Sequence, residues 1–311
     1  MIKVLLLCNK AYWTGKLARE RFHAWDAISR QPEIEAVKDG PGFPDWVDAQ
    51  VSVEKNKPDV VFWYKPKKIE GYKLLDPNLP KVLAYNEMYL IDETKDEIIS
   101  SKTNIILCHL ENDMKHFKDI YEGRYFVHMP HCIEKTVFKD WQLPKTVDIL
   151  FTGVVSPEIY PLRSKLRTMI TSGKFSKFKT KILPHPGYEI KDVDGQILNY
   201  AKELNQSKVV ITCCSKYKYA LTKYIEATAC NSLLIGDFPD ERFEFFKQFI
   251  VEINISMSEK RIIEIIDYWI NNVQEREEKN LLGMKLISEN NTYEHYTDRF
   301  VKIVKESGFL K

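Results

Sequence analysis

SKVVITCCSKYKYALTKYIEATACNSLLIGD (Ser207–Asp237) reads as strand, loop, helix, strand, and that order decides the fold. Lys208–Cys213 is a β-branched apolar run suited to a strand buried on both faces. Cys214–Tyr219 is a polar loop. Ala220–Cys230 is a helix that stops at Asn231, a residue that tolerates the left-handed geometry of a C-terminal cap. Ser232–Ile235 is the next buried strand, ended by Gly236-Asp237-Phe238-Pro239. A helix that begins at the carboxyl end of a strand is where open parallel sheets bind ligands. Its first turns carry Lys223 and Glu226, three residues apart and so on one helix face. A lysine beside a carboxylate suits a phosphorylated, hydroxyl-rich ligand.

The same alternation extends outward in both directions. Strands are expected at Ile2–Cys8, Ile34–Val37, Asp59–Trp63, Lys81–Tyr85, Asn104–Cys108 and Tyr125–His128. Helices are expected from Thr14 to about Ser29 and over Asp45–Glu54, Glu93–Ser101 and Glu111–Tyr121. His128–Pro144 breaks the pattern with prolines and reads as a linker. Strand and helix resume with Val147–Thr152, a loop from Gly153 to Pro157, a helix from about Tyr160 to Thr171, a strand at Lys177–Leu183 and a helix at Ile197–Leu204. After the opening stretch come a helix at Asp240–Gln248, a strand at Phe249–Ile253, and helices at Glu259–Asn272, Gln274–Ser288 and Tyr293–Ser307. This is an α/β chain of two Rossmann-like halves, each a parallel sheet covered on both faces, with a ligand cleft expected between them.

Length and composition agree with that division. The 311 residues suggest about two domains, and 44% hydrophobic with 29% charged residues is ordinary for a globular chain. The net charge of +2 favours neither nucleic acid nor an anionic membrane. MIKVLLLCNKAYW has too short an apolar run for a signal peptide, and no stretch approaches a membrane span, so a cytoplasmic location is expected. The six cysteines include no CxxC pair, which speaks against a zinc or dithiol site and for reduced, buried thiols.

The residues from 128 onward resemble the GT-B-fold glycosyltransferases, especially the group-1, retaining branch. KYIEATACNSLLIGD (Lys223–Asp237) is similar to that family's E-A-x-A-x-G-x-P-V-V helix and strand, with Glu226 at the glutamate that binds the donor ribose. DILFTGVVSPEIYPLR (Asp148–Arg163) is similar to the strand and loop that open the donor domain. PHPGYE (Pro184–Glu189) falls where the family places a loop beside the nucleotide base, and HMPHCIEKTVF (His128–Phe138) resembles the interdomain segment. The resemblance implies an acceptor domain over residues 1–135, a donor domain over 145–290 and a final helix, 291–311, that packs back on the first domain. It implies a nucleotide-diphosphate sugar such as a UDP- or GDP-sugar as donor, a glycan or glycoconjugate acceptor, and no cofactor. The branch's E-x7-E motif would put a first glutamate at position 218, and Lys218 stands there instead. That residue normally faces the donor sugar, so the sugar and the stereochemical course stay open, with retention favoured over inversion.

Candidate site residues follow from residue chemistry and from this resemblance together. Lys223 and Arg163 carry the charge that would stabilise a departing diphosphate without a metal. Thr152 and Gly153 offer a hydroxyl and close backbone approach at a strand end. His185, Gly187 and Tyr188 form a polar, turn-rich loop that can meet a base or phosphate. Ser215 and Tyr219 precede the Lys223 helix and can reach phosphate, and Glu226 can accept from ribose hydroxyls. In the first half, Asn9-Lys10, Asn86-Glu87 and His109 end strands, and an inverting course would need Glu87 or His109 as base. Asp39–Trp46, with two glycines and two aromatics, is a candidate acceptor loop. Asp192-Val193-Asp194 matches a D-x-D metal motif but reads better as a helix cap, and Lys174–Lys181 reads as one face of an edge strand. A non-catalytic nucleotide-sugar or glycan-binding protein and a nucleotide-sugar epimerase are the alternatives on the same architecture.

Overall fold

A computed structural model describes residues 1–11, 19–85, 88–185 and 192–310. The chain divides into two compact units, Met1–Pro130 with Tyr293–Lys311, and His131–Thr292.

In the first unit, β1 (Ile2–Leu7), α1 (Arg19–Arg30), β2 (Ile34–Asp39), α2 (Ala49–Asn56), β3 (Val60–Trp63), β4 (Lys81–Tyr85), α3 (Ile91–Ser100), β5 (Ile105–Cys108), α4 (Glu111–Met114) and β6 (Tyr125–His128) follow one another. The six strands form a parallel sheet in the order β2-β1-β3-β4-β5-β6. Its central strands are buried on both faces, which is why they read as unbroken apolar runs. Leu5, Leu7, Val61, Trp63, Leu83 and Ile106 meet Ile98 and Phe117 in one core.

The second unit holds β7 (Val147–Thr152), α5 (Pro161–Thr171), β8 (Thr180–Leu183), α6 (Val193–Asn205), β9 (Ser207–Ile211), α7 (Thr222–Ala229), β10 (Leu233–Gly236), α8 (Phe243–Phe246), β11 (Val251–Glu252), α9 (Glu259–Asn271) and α10 (Val273–Asn290). Its five parallel strands run β11-β10-β9-β7-β8. Alternate residues of β7 serve opposite faces, as the two-residue strand period requires. Ile149 and Phe151 pack with Leu166, Ile262 and Ile266, whereas Leu150 packs with Tyr224, Ala227, Phe249 and Ile287. The last helix, α11 (Tyr293–Glu306), belongs to the first unit, where Phe300 meets Phe62 edge to face at 5.3 Å.

Several element ends differ from the expected ones for identifiable reasons. Helix α2 starts at Ala49 rather than Asp45, because Asp48 caps it by accepting from the Val51 amide while Asp45 has φ 59°. Helix α6 starts four residues early at Val193, capped by Asp192 through the Gly195 amide. Only Phe243–Phe246 of the expected 240–248 helix forms, since Arg242 just before it sits at φ 53°. The Glu111–Tyr121 helix tightens after Met114 into a 3₁₀ turn over Lys115–Ile120. Strand β8 begins at Thr180, not Lys177. The lysine run before and within it pairs with acids of neighbouring helices, Lys174 with Glu259, Lys177 with Asp267 and Lys181 with Glu203. The expected helix start at Thr14 lies outside the described residues. Among the described residues, no helix is long and apolar enough to cross a membrane.

Candidate functional site

In the second unit the chain leaves β7 through α5 to β8 on one side, and later reaches β9 on the other. The strand order therefore reverses between β7 and β9, and the carboxyl ends of these two strands frame the crevice where open parallel sheets take ligands. Thr152 ends β7 and is buried, and Gly153 follows it at φ 105°. Arg163, in the first turn of α5, is almost fully buried and spans the reversal. Its guanidinium donates to the Val154 carbonyl (2.9 Å) beyond β7, and to Thr212 Oγ1 (3.3 Å) and the Cys213 carbonyl (3.2 Å) beyond β9. The Tyr160 ring stacks on it at 4.1 Å, and Arg163 Nε is buried with no hydrogen-bond partner among the described residues.

Lys223 enters the same place from the first turn of α7. A Cβ built on Gly153 would stand 2.9 Å from an Arg163 terminal nitrogen and 3.0 Å from Lys223 Cε, so the two cationic side chains converge on a residue that has no side chain. Burial lowers the pKa of Lys223. Glu226 pulls it back up and Arg163 lowers it further. His185, two residues beyond β8, is also held low, first by burial and then by Lys223. Thr152, Gly153, Arg163, His185, Lys223 and Glu226 thus form one cluster.

Glu226 lies one turn along α7, where its Oε2 accepts from the Tyr200 hydroxyl at 3.3 Å. The Lys223 ammonium sits over the Tyr200 ring, 5.8 Å from its centroid. Neither Tyr200 nor Tyr160 was marked by its sequence. Each occupies an unremarkable place in or beside an amphipathic helix, and only the tertiary contact reveals it.

Ser215 and Tyr219 lie in the loop between β9 and α7, and both are buried. Ser215 has φ 68°, and its Oγ accepts from the Tyr217 amide, while Tyr219 stacks on Tyr217 at 5.1 Å. Lys218 has φ 58° and an ion pair of 3.1 Å with Asp237. Asp237 also accepts from the Cys214 amide at 2.8 Å.

In the first unit, His109 follows β5 and is buried. Its Nδ1 bonds the Met129 carbonyl at 2.7 Å. A carbonyl only accepts, so Nδ1 carries a proton. The Lys10 amide donates to the Pro41 carbonyl at 2.9 Å, and its ammonium lies 5.9 Å from the Phe43 ring. Asn86, Glu87, Gly187 and Tyr188 lie outside the described residues. Asp192 caps a helix, and among the described residues no group of three or more His, Cys, Asp or Glu is arranged to hold a metal ion.

Solved structures match this architecture end to end. Sucrose-phosphate synthase from Thermosynechococcus elongatus superposes with a TM-score of 0.66 at 8% identity, covering 98% of this chain and 99% of that one. The chain has the GT-B fold. A glycosyltransferase from Rickettsia africae matches at 0.61 and 13% identity over 98% of each chain. Anabaena HepE, in complex with UDP and glucose, matches at 0.62 and 9% over 98% of this chain and 100% of its own. No protein-family model and no curated protein matches the chain. In this GT-B chain the cationic cluster sits at the strand-order reversal of the second Rossmann-like unit.

Proposed function

We propose that this protein is a glycosyltransferase, moving a sugar from a nucleotide-diphosphate sugar to a hydroxyl of a glycan or glycoconjugate. The observation that carries the reading is the convergence of Arg163 and Lys223 on Gly153, beside the Glu226 carboxylate, at the reversal point of a parallel sheet. Two fixed cations next to a residue without a side chain leave room for phosphoryl oxygens to approach. A carboxylate one helical turn away suits vicinal ribose hydroxyls.

As the bond between the sugar's anomeric carbon and the diphosphate oxygen breaks, negative charge grows on the leaving diphosphate. Lys223 and the Arg163 guanidinium stabilise that charge without reorganising, because hydrogen bonds already hold Arg163 and the Tyr200 ring lies under the Lys223 ammonium. They supply what a divalent cation supplies elsewhere, so the reaction proceeds without a metal. Glu226 holds the ribose, and His185 meets the phosphate or the base. A retaining course needs this leaving-group stabilisation and little else. An inverting course would use His109 or Glu87 to take the proton of the acceptor hydroxyl.

A second reading, a nucleotide-sugar-binding protein without transfer, is favoured by Lys218, which stands in the sequence where the resemblance would put a glutamate and is engaged in an ion pair with Asp237.

Calorimetric titration with UDP and GDP, followed by assay of sugar release from their common nucleotide sugars, tests both readings. Micromolar binding of one diphosphate, weakened by Lys223→Ala and Glu226→Ala, with release of sugar from its conjugate, is the expected result. Failure of both diphosphates to bind sinks the proposal. Binding without turnover on any donor, acceptors supplied, leaves the second reading.

A further inference from the structure

Tyr200 reaches the cluster from α6 and touches three of its members. Its hydroxyl donates to Glu226 Oε2, its ring carries the Lys223 ammonium, and the Thr152 hydroxyl meets the same phenol oxygen. The ring is braced by Phe138, edge to face at 6.2 Å. We propose that Tyr200 is the positioning residue of this site: its hydroxyl orients the Glu226 carboxylate toward ribose, and its ring face holds Lys223 against the diphosphate. This rests on the donor-binding reading above and extends it to a residue outside that reading.

The physical need is clear from the helix. Glu226 and Lys223 are long side chains on the first turns of α7, each with many rotamers to lose on ordering. Ordering them at the moment of binding would cost affinity, and a ligand gains most from groups already held in place. The Tyr200 hydroxyl fixes one carboxylate oxygen of Glu226 and with it the plane of the group. Burial raises the Tyr200 pKa well above its ordinary value, so the hydroxyl remains a donor throughout the neutral range. The π face below Lys223 attracts the ammonium independently of the hydroxyl. One side chain therefore does two separable things, and Thr152 ties both to the end of β7.

Substitution separates them. Tyr200→Phe keeps the ring and removes the hydroxyl; Tyr200→Leu removes both. The probes are UDP, 2′-deoxy-UDP and UMP, or the guanosine series if GDP is the tighter ligand. Wild-type protein should prefer the ribose form over the 2′-deoxy form, and the diphosphate over the monophosphate. In Tyr200→Phe the ribose preference should fall by about 3- to 10-fold, the size of one hydrogen bond, while the diphosphate preference stays within about 2-fold. In Tyr200→Leu both preferences should fall. A merely structural role would weaken all three ligands in parallel and leave both ratios unchanged, and that result for Tyr200→Phe overturns the inference. Thermal unfolding of each variant checks folding. If Tyr200→Leu does not fold, Tyr200→Phe decides alone. Wild-type binding of UDP or GDP without ribose preference overturns this inference and leaves diphosphate binding standing. Binding of neither overturns the donor-site reading itself.

Discussion

No side chain can stand at Gly153 without meeting Arg163, whose nearest terminal nitrogen would be 2.9 Å from the new Cβ. Gly153 also sits at φ 105°, a conformation that L-residues avoid. Gly153→Ala should therefore cost about 1–3 kcal/mol of stability. It should also displace Arg163 and Lys223 and lower nucleotide-diphosphate affinity by about 10-fold or more, the loss of a phosphate contact. Gly173→Ala is the matched control, because Gly173 also has positive φ (78°) but an open surround. Calorimetry should find Gly173→Ala destabilised yet binding normally. Equal affinity in the two variants would sink the steric argument.

Arg163 is a structural clamp as well as a cation. Its fork joins a carbonyl after β7 to a hydroxyl and a carbonyl after β9. Lysine keeps the charge but offers one ammonium in place of two diverging NH2 groups. Arg163→Lys should lose about 1–3 kcal/mol, mainly because the buried Cys213 carbonyl loses its donor. The stabilisation conferred by saturating UDP or GDP should shrink in the same variant. Urea denaturation with and without nucleotide measures both, and an unchanged ligand-induced shift would remove Arg163 from the binding site.

Much of this was legible because buried parallel strands carry a plain signal. The unbroken runs at Lys81–Tyr85 and Val147–Thr152 appear as strands with those bounds. Helix starts were less legible: Asp48 decides the start of α2 through one hydrogen bond to the Val51 amide, whereas Asp192, read as a cap from the sequence, does cap α6 through the Gly195 amide. At the site, Lys223, Glu226, Arg163 and Gly153 drew attention through residue type and place in the strand-loop-helix units. Tyr200 did not, because its partner Glu226 is 26 residues away and nothing in α6 points to it. The lysines of Lys174–Lys181 were illegible for the same reason, since their acids lie on other helices.

Asn231 shows how a local rule can mislead. It follows α7 at φ 56°, where glycine is the preferred residue, so Asn231→Gly would relieve about 1 kcal/mol of backbone strain. Yet the Asn231 side chain donates to Asp140 Oδ2 at 3.1 Å and accepts from Asn280 Nδ2 at 3.2 Å. Losing a bond to a carboxylate and one to an amide costs about 2–4 kcal/mol together. The hydrogen bonds win, and Asn231→Gly should be destabilised by about 1–3 kcal/mol on balance. Chemical denaturation gives the sign directly; a stabilised variant would mean that the side-chain bonds contribute little.

Lys223 links binding to pH. Burial holds its pKa below the ordinary lysine value, and Arg163 adds to the lowering against the pull of Glu226. A bound diphosphate brings negative charge to the ammonium and raises that pKa again. Wherever the bound pKa exceeds the free one, binding takes up protons, and affinity falls as pH rises through the free value. The window opens at the free value, below the ordinary lysine value of 10.5, and closes at the higher bound value. His185 adds a separate acid-side limb, because its pKa is lowered by burial and then by Lys223 in the free protein, and the same diphosphate raises it. Titrations in buffers of different ionisation enthalpy should show proton uptake in both ranges. Lys223→Arg stays charged throughout and should abolish the alkaline uptake while leaving the acid limb. His185→Gln should do the reverse. Alkaline uptake that persists in Lys223→Arg would show that another group titrates at the site and that Lys223 does not meet the phosphates.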